Sequence, residues 1–487
     1  MAQAMDVVLS ALATDLVGRV ISFLVRKCQE PGATEDAVRL QRALLRAGAV
    51  VEEAEGRQIA NRAMLLQLNQ LRRDLYRGTY VLDALSWRAE DPSPRKRHAA
   101  ESRPLFSLPL RTSGLSVLAE SLEAALGDMR EFVVLLGGCP RVARHPYSAY
   151  LFMESCMFGR HMEKEQIISF LLHPVRDLDV LPIIGPDKVG KRTLVEHVCL
   201  DERVREHFAK IHRLSSDDLD LQSHDHHEHH HLSLIDGNAR SLIVIGLADG
   251  DCDAANEEKE EEWWRRFHSS VRRRAHRDSK IILISGAEAH AGLGTLPPLR
   301  LRAPHREEIW YFFRALAFGG ADPEERPELL RVAMALLAVI PDDPALFVAA
   351  SIIAAFLRVD MSAPSWRHVL GVFAGATNRC GVILCRPVRG SPGILCSFHG
   401  RRTLTGMARN ELPRVAMVDL VTGGDPVLPN GEKRFDVLVW QSRIPPYASY
   451  VATCDMERTR QVAVEKKVRN KRSRSQQDEK RGELAEI

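Results

Sequence analysis

The stretch LDVLPIIGPDKVGKRTLVEHVCL, residues 178–200, decides the fold. It opens on an apolar run, turns through a segment with glycines at 185 and 190, and resumes in LVEHVCL, read as a helix over about 191–199. An apolar run of this length suits a strand of a parallel sheet, because helices cover such a sheet on both faces. SLIVI at 241–245 and KIILIS at 280–285 repeat the signal, with a helix expected between them over about 260–275. Strands alternating with helices define an α/β class.

Outward from this centre the pattern changes. Leu9, Leu12, Leu16, Val20 and Phe23 recur at steps of three and four, and Pro31-Gly32 ends that helix. Leu68, Leu71, Leu75, Leu82 and Leu85 mark a second apolar face, and Leu115, Leu118, Leu122, Leu126, Met129, Val133 and Leu136 a third. With a weaker helix over about 35–54, residues 1–138 read as a four-helix bundle, so the α/β chain has an all-α N-terminal part. DPSPRKRHAAESRP, residues 91–104, reads as a loop within it.

A linker is expected over 139–160, the sheet domain over 161–303 and a helical domain over 304–375, broken at Gly319-Gly320 and at the turn from Pro341 to Pro344. CGVILC, GILCSF and FDVLVW then suggest a small β-rich region over 376–455. The charged tail over 456–487 has too little apolar content to fold by itself.

Composition narrows the function classes. In 487 residues, 67 Lys and Arg against 64 Asp and Glu leave a formal charge of +3, too little to make the whole molecule a nucleic-acid binder. The N-terminal stretch carries Asp6, Asp15 and Arg19 and no basic region ahead of its apolar residues, so it does not read as a secretion signal. VAMALLAVIPDDPALFVAASIIAAFL is cut by Pro341-Asp342-Asp343-Pro344 into arms shorter than the roughly 18 residues a membrane span needs. Nine cysteines without a CxxC pair read as small core residues of a reducing, cytoplasmic compartment.

The chemistry concentrates at Gly185-Pro186-Asp187-Lys188-Val189-Gly190-Lys191-Arg192-Thr193. A phosphate-binding loop needs glycines that let backbone N–H groups wrap the phosphates, a lysine that reaches them, and a helix start behind. Gly185, Val189, Gly190, Lys191, Arg192 and Thr193 are the candidate nucleotide-binding residues, in strand, loop, helix order. The bland alternative is a glycine-rich turn that joins strand to helix. An intact loop continues with Ser or Thr after the lysine, as a magnesium ligand. Arg192 stands there and Thr193 follows, which puts magnesium in doubt. A second acid should end the strand LIVI, yet Gly246 does so; Asp249 is the nearest candidate, ahead of Asp251 and Asp253, and all three also read as a solvated acidic loop.

Several phrases in order resemble the NB-ARC module of grass disease-resistance proteins: FGRHMEKEQIISFLL, GPDKVGKRTLVEHVCLDERVREHF, AKIHRLSSDDL, SKIILISGAEAHAGLGT and WYFFRALAFGGADPEERPELL. LRRDLYRGTYVLDAL resembles the coiled-coil domain that precedes that module. The resemblance covers residues 1 to about 374 and implies a degenerate P-loop NTPase domain followed by a helical ARC-like domain. It further implies a switch held closed by ADP and opened by ATP, which signals through its N-terminal bundle to protein partners, other receptors of the class among them. The chain departs from the pattern: Ser285-Gly286-Ala287 stands where an arginine sensor is expected, and no Gly-Leu-Pro turn, Met-His-Asp motif or leucine-rich repeat is visible. The expectation is therefore bound adenine nucleotide with negligible turnover. The alternatives are an active ATPase with unorthodox metal ligands, or an interaction scaffold without nucleotide.

Three side signals remain. Histidines among residues 223–231 are able to chelate metal, although an expanded low-complexity polar loop is the stronger reading of them. The tail bears Lys466, Lys467, Arg469, Lys471, Arg472 and Arg474, a run that serves either nuclear import or simple solvation. Trp263 and Trp264 read as core of the helix that carries them.

Overall fold

A computed structural model of the chain describes residues 35–89, 113–141, 157–174, 178–215, 237, 239–247, 254–340, 343–378, 382–385, 394–405, 411–422 and 434–458. The chain divides into two compact units, one spanning Met1–Asp322 with Asp342–Ala350, the other Pro323–Pro341 with Ser351–Ile487. The stripe from Leu9 to Phe23 lies outside the described residues.

The first unit begins with α1 (Glu35–Glu55), α2 (Arg62–Ala89), α3 (Ser113–Asp128) and α4 (Arg130–Gly137). On α1 the inward residues Leu40, Ala43, Leu44, Ala47, Val51 and Ala54 keep helical spacing, and small side chains among them explain why the sequence signal is weak. The face expected as one helix over 115–136 is two. Met129, at φ −84° and ψ 6°, interrupts it, and its N–H bonds Leu126 O at 3.3 Å. The break turns the following face, so Phe132 is buried and Val133, expected inside, is 49% exposed. Arg72, 4% exposed, pairs with Glu55 at 3.2 Å and fixes α2 to α1.

Next come α5 (His161–Leu172), β1 (Asp179–Ile184), α6 (Lys191–Cys199), α7 (Glu202–His207), β2 (Lys210–Ser215), β3 (Ser241–Gly246), α8 (Ala254–Arg274), β4 (Lys280–Ser285), a 3-10 turn (Glu288–Leu293), β5 (Leu299–Arg300) and α9 (Arg306–Phe318). The strands form one sheet in the order β2-β3-β4-β1-β5. Every pairing is parallel.

Successive residues of each strand face opposite sides. Leu242, Val244, Ile282 and Ile284 pack with Ile167, Ile168 and Leu171 of α5 and Leu194, Val195 and Val198 of α6. Ile243, Ile245, Ile281 and Leu283 pack with Trp263, Trp264, Phe267 and Val271 of α8. Both faces are thus buried, which is why the strands read as unbroken apolar runs and why the two tryptophans are core.

Pro182 sits inside β1, where a ring without an N–H is normally excluded. β5 pairs only with Ile183 and Ile184, and on that side Val180 N instead donates to Thr295 Oγ1 at 2.8 Å. The missing donor therefore falls beside an irregular segment.

α2 is also tied to α9. Asp83 accepts a hydrogen bond from Trp310 Nε1 at 2.8 Å and pairs with Arg314 Nε at 3.3 Å, with Trp310 fully buried. Tyr76 and Tyr311 place their ring centres 4.5 Å apart, and Phe158 lies 5.4 Å from Tyr76.

In the second unit, α10 (Pro327–Val339) and α12 (Ala363–Asn378) pack together; α11 (Leu346–Leu357), between them in the chain, starts in the first unit and ends in the second. β6 (Val382–Cys385), β7 (Ile394–Leu404), β8 (Val415–Ala416), a short α13 (Met417–Thr422), β9 (Arg434–Gln441) and β10 (Ser449–Arg458) follow. Their strands make a mixed sheet in the order β6-β7-β10-β9-β8, with β8–β9 parallel and the other pairs antiparallel. β10 had no clear sequence signal and runs to Arg458, past the expected start of the tail at 456. The architecture is thus a helical N-terminal region, a parallel-sheet core, further helices and a small mixed sheet.

Replacing Asp83 by alanine removes the partner of a buried indole N–H and of Arg314, and the expected loss of stability is about 3 kcal/mol. Urea unfolding followed by tryptophan fluorescence reads this; a change under about 0.5 kcal/mol would show that the α2–α9 link is only a rim contact.

Candidate functional site

Connections from β1 and β4 leave the sheet toward opposite edges, since β1 leads to β2 and β4 leads to β5 on the far side of β1. In open parallel sheets the crevice at such a switch point, beyond the carboxyl ends of the strands, is the ligand position. The loop after β1 opens there. Gly185 N donates to Ser285 O at the tip of β4, 3.3 Å away. A Cβ on Gly185 would lie 2.6 Å from Leu301 O, so only glycine fits.

The loop then folds tightly. Lys188 adopts φ +59°, an unusual state for a side-chain-bearing residue, and its N–H bonds Asp187 Oδ1 at 2.7 Å. Val189 is 1% exposed and pins the loop to the sheet core. Gly190, at φ +97° and ψ 22°, starts α6 without a side-chain cap. The first turn of α6 therefore starts directly behind a loop in left-handed geometry, a backbone arrangement suited to anions.

Lys191, the first residue of α6, is 3% exposed. Its Nζ donates to Gly185 O at 2.7 Å and Pro186 O at 2.9 Å, so the loop closes around the ammonium. Thr193 is half-buried on the next part of the turn. Arg192 is exposed and reaches across to β3: its Nη2 lies 3.6 Å from where a Cβ on Gly246 would stand. The structure thus brings Gly185, Val189, Gly190, Lys191, Arg192 and Thr193 into one turn at the strand tips. Asp249, Asp251, Asp253 and the histidines of 223–231 lie outside the described residues. So do the basic tail and Pro341, whereas Pro344 stands in the turn where Asp343 Oδ1 accepts from Ala345 N at 2.7 Å.

A contact that sequence reading missed closes the tip of β4. Ser285 Oγ lies 2.7 Å from His290 Nδ1 and accepts from Ala287 N at 3.0 Å, with both side chains buried. It holds the backbone that receives Gly185 N. No spacing in SGAEAH announces it, because the partner lies in a 3-10 turn rather than a periodic element.

A charged network supports the loop from behind. Arg203 forks onto Glu165 at 2.7 and 2.9 Å and onto Asp201, which also pairs with Lys164 at 2.9 Å. Burial pushes the Asp201 carboxyl up, but hydrogen bonds from Arg203 and Lys164 outweigh it and hold it below its ordinary value. His197 of α6 is lowered by burial and, secondarily, by the charge of Lys164. Burial pushes the Cys199 thiol up to about 12, which leaves it inert as a nucleophile. Among the described residues no His, Cys, Asp or Glu cluster is arranged to hold a metal ion, and no helix is long and apolar enough to cross a membrane.

The sheet order and the loop define a P-loop NTPase-like core. No family model matches the chain. It is 24% identical over 393 residues to the disease resistance protein RGA2 of Solanum bulbocastanum, covering 76% of this chain and 38% of that protein. It is 26% identical over 277 residues to the disease resistance protein RGA4 of the same plant, described as putative, covering 52% and 27%. The chain is thus distantly related to plant disease-resistance proteins and spans less than two fifths of their length. Among solved structures it is similar to domain III of the Thermotoga maritima replication initiation protein DnaA, at 15% identity and TM-score 0.31, over 47% of this chain and 99% of that one. The FIGL-1 AAA domain in complex with ADP is matched at 12% identity and TM-score 0.30, over 45% of this chain and 82% of that one. Those scores are low, and the fold assignment rests on strand order and loop geometry.

The depressed imidazole of His197 sets a pH dependence. Its folded value lies below its unfolded value, so the unfolded chain binds the proton first and stability falls as pH drops through about 6.5. The thermal midpoint should decline between about pH 7.5 and 5.5, before carboxylates such as Asp201 titrate, and His197→Gln should flatten the decline. An unchanged slope in that variant would remove His197 from the account.

Proposed function

We propose that the protein is a nucleotide-binding switch or adaptor of plant defence, akin to grass coiled-coil immune receptors, that holds ADP or ATP and hydrolyses it negligibly. One observation carries the reading: the ammonium of Lys191, buried and wrapped by a positive-φ loop, at the switch point between β1 and β4. Charge held there, beside helix N–H groups, suits a pyrophosphate. The distant relationship to disease-resistance proteins supplies the biological setting.

The catalytic side is eroded. Hydrolysis needs a positioned metal, an acid and a γ-phosphate sensor together. Arg192 takes the place of the hydroxyl ligand, Gly246 that of the acid, and Ser285-Gly286-Ala287 that of the arginine sensor. Asp249 is the acid whose replacement tests any remaining metal chemistry. These residues fit a nucleotide's phosphates and do not fit a magnesium site.

The N-terminal helices are the partner surface in this reading. Val117 on α3 and Val133, Val134 and Leu135 on α4 are exposed, Val134 to 77%, and suit another helical protein, such as a full-length receptor of the class. The proposed division is a coiled-coil bundle over 1–138, a nucleotide-binding domain over 161–303, an ARC-like domain over 304–375 and a β-rich region over 376–455. A cytoplasmic location, with nuclear entry through the 466–474 run, completes the proposal.

Purified protein denatured and run on an ion-exchange column should release close to one ADP per chain, and Lys191→Ala should release less than about a tenth as much. Phosphate release from ATP that Lys191→Ala abolishes would establish a working ATPase instead. Neither nucleotide nor turnover would leave the scaffold reading.

A further inference from the structure

We propose that this protein grips the phosphate backbone of a nucleic-acid duplex with an arginine-rich face at the amino ends of its parallel strands, the opposite end of the sheet from the loop after β1. The whole chain carries a formal charge of only +3, so such a face has to be local. Residues 263–277 supply it, with six arginines, Arg265, Arg266, Arg272, Arg273, Arg274 and Arg277, and not one acid. All six are exposed. On α8 the apolar positions Trp263, Trp264, Phe267 and Val271 turn to the sheet, which leaves Arg265, Arg266, Ser269, Arg272 and Arg273 as one stripe on the outer side. Arg265 pairs with Glu261 at 2.7 Å. Among the described residues, Arg266, Arg273, Arg274 and Arg277 make no ion pair, and their charge is open to a partner.

The fold extends the stripe across the strand starts. β2, β3 and β4 are neighbours, with Lys210 opposite Ser241 and Leu242 opposite Lys280. Neighbouring strands lie about 5 Å apart, so Arg240, one residue ahead of β3, stands between the starts of β2 and β4. Its O accepts from Ala209 N at 3.0 Å. Ser241 N donates to Ser279 Oγ at 3.1 Å, and a Cβ on Gly237 would lie 2.7 Å from Arg274 O, so the chain entering β3 is pressed against both the end of α8 and the turn after it. Arg240, Arg274 and Arg277 are thereby held on one ledge. Its field is positive: Arg240 Nη1 lies 3.4 Å from His207 Nδ1, and His207 is lowered by burial first and by the charge of Arg240 next, ahead of the opposing pull of Asp278.

The residue types select the partner. The macrodipole accounts for cations in the last turn of α8, Arg272, Arg273 and Arg274, but not for Arg266 well before it, nor for Arg240 and Arg277 on other segments. A basic amphipathic helix commonly serves a membrane surface or a helix-binding groove, and both need its apolar side. Here that side is spent against the sheet. Among the described residues from 202 to 285 no large apolar side chain is exposed, so neither lipid insertion nor base stacking has a platform. What remains is charge in a planar fork, and every cation of the stripe is arginine, the residue that engages two phosphate oxygens at once. Arg266 and Arg273 lie about 10 Å apart along α8, roughly three nucleotide steps of a duplex strand.

The test is fluorescence anisotropy of labelled DNA and RNA duplexes of about 20 base pairs and mixed sequence, titrated with the full chain at about 50 to 200 mM salt. Expected is micromolar binding to at least one duplex, with log affinity falling against log salt at a slope of about −4, from roughly four phosphate contacts. Arg266→Gln, Arg273→Gln and Arg277→Gln combined should weaken binding about tenfold or more and flatten the slope by about 2 to 3. The same three positions changed to lysine, which keeps the charge and loses the fork, should lose only a few fold. These side chains are exposed, so the variants keep the fold, and circular dichroism checks this. The basic tail is a rival source of charge, so Lys466→Gln, Lys467→Gln and Arg469→Gln combined form the comparison and should cost less affinity than the triple change on the ledge. Binding lost in the tail variant and kept in the ledge variant overturns the proposal, as does the absence of duplex binding at about 50 mM salt. Tighter binding of a single strand of equal length overturns it in favour of base stacking. Capture by phosphatidylserine vesicles without capture by either duplex overturns it in favour of a membrane surface.

Discussion

The pairing of β1 with β4 is the constraint on which the rest depends. Six consecutive positions are in parallel register, from Asp179 opposite Lys280 to Ile184 opposite Ser285. At the amino ends, Lys280, 1% exposed, is held by Asp179 at 3.1 Å and lies over the ring of Phe170. At the carboxyl ends, Ser285 O receives Gly185 N. The first contact anchors a buried charge well away from the candidate site; the second sets where the loop leaves the sheet. A slip of one residue would turn every inward side chain outward and put a residue with a Cβ where Gly185 now passes Leu301 O.

Packing carries that register to the loop. α6 lies on the sheet through Leu194, Val195 and Val198, so its start cannot drift along the strand tips. Val189 fastens the loop from inside, and the Arg203, Glu165, Asp201 and Lys164 network joins α5 to the turn into α7 behind it. The ammonium of Lys191 is consequently presented by a rigid frame, with little conformational entropy left to lose on binding an anion.

How much of this was legible in the sequence varied with the physics of each element. The central strands declared themselves because burial on both faces leaves a continuous apolar run, and LDVLPII, SLIVI and KIILIS are such runs. β2 hid because its residues, Lys210, His212 and Arg213 among them, border solvent at the sheet edge. β10, with Thr453, Asp455 and Glu457 alternating along it, lacked the same density. The kink at Met129 was invisible because the apolar stripe continues through it. At the site, the glycines and Lys191 were readable from spacing alone. The reach of Arg192 to Gly246 was not, since it joins residues 54 positions apart through a sheet order that spacing does not encode.

The loop also departs from a local rule that several other helices keep. Helices favour acids in their first turn, where the macrodipole is positive, by about 0.3–1 kcal/mol each. α1 begins with Glu35 and Asp36, α7 with Glu202 behind an Asp201 cap, and α9 with Glu307 and Glu308. α6 begins instead with Lys191 and Arg192, behind an uncapped glycine and the positive-φ Lys188. Each feature costs stability, and like charges at neighbouring positions add to one another. α2 too begins on a cation, Arg62, with no acid in its first turn, but Asn61 Oδ1 accepts from Ala63 N and Met64 N there, whereas α6 has no side-chain cap. Lys191 meets part of that conflict itself, because its ammonium, buried in the first turn, holds the preceding loop through Gly185 O and Pro186 O.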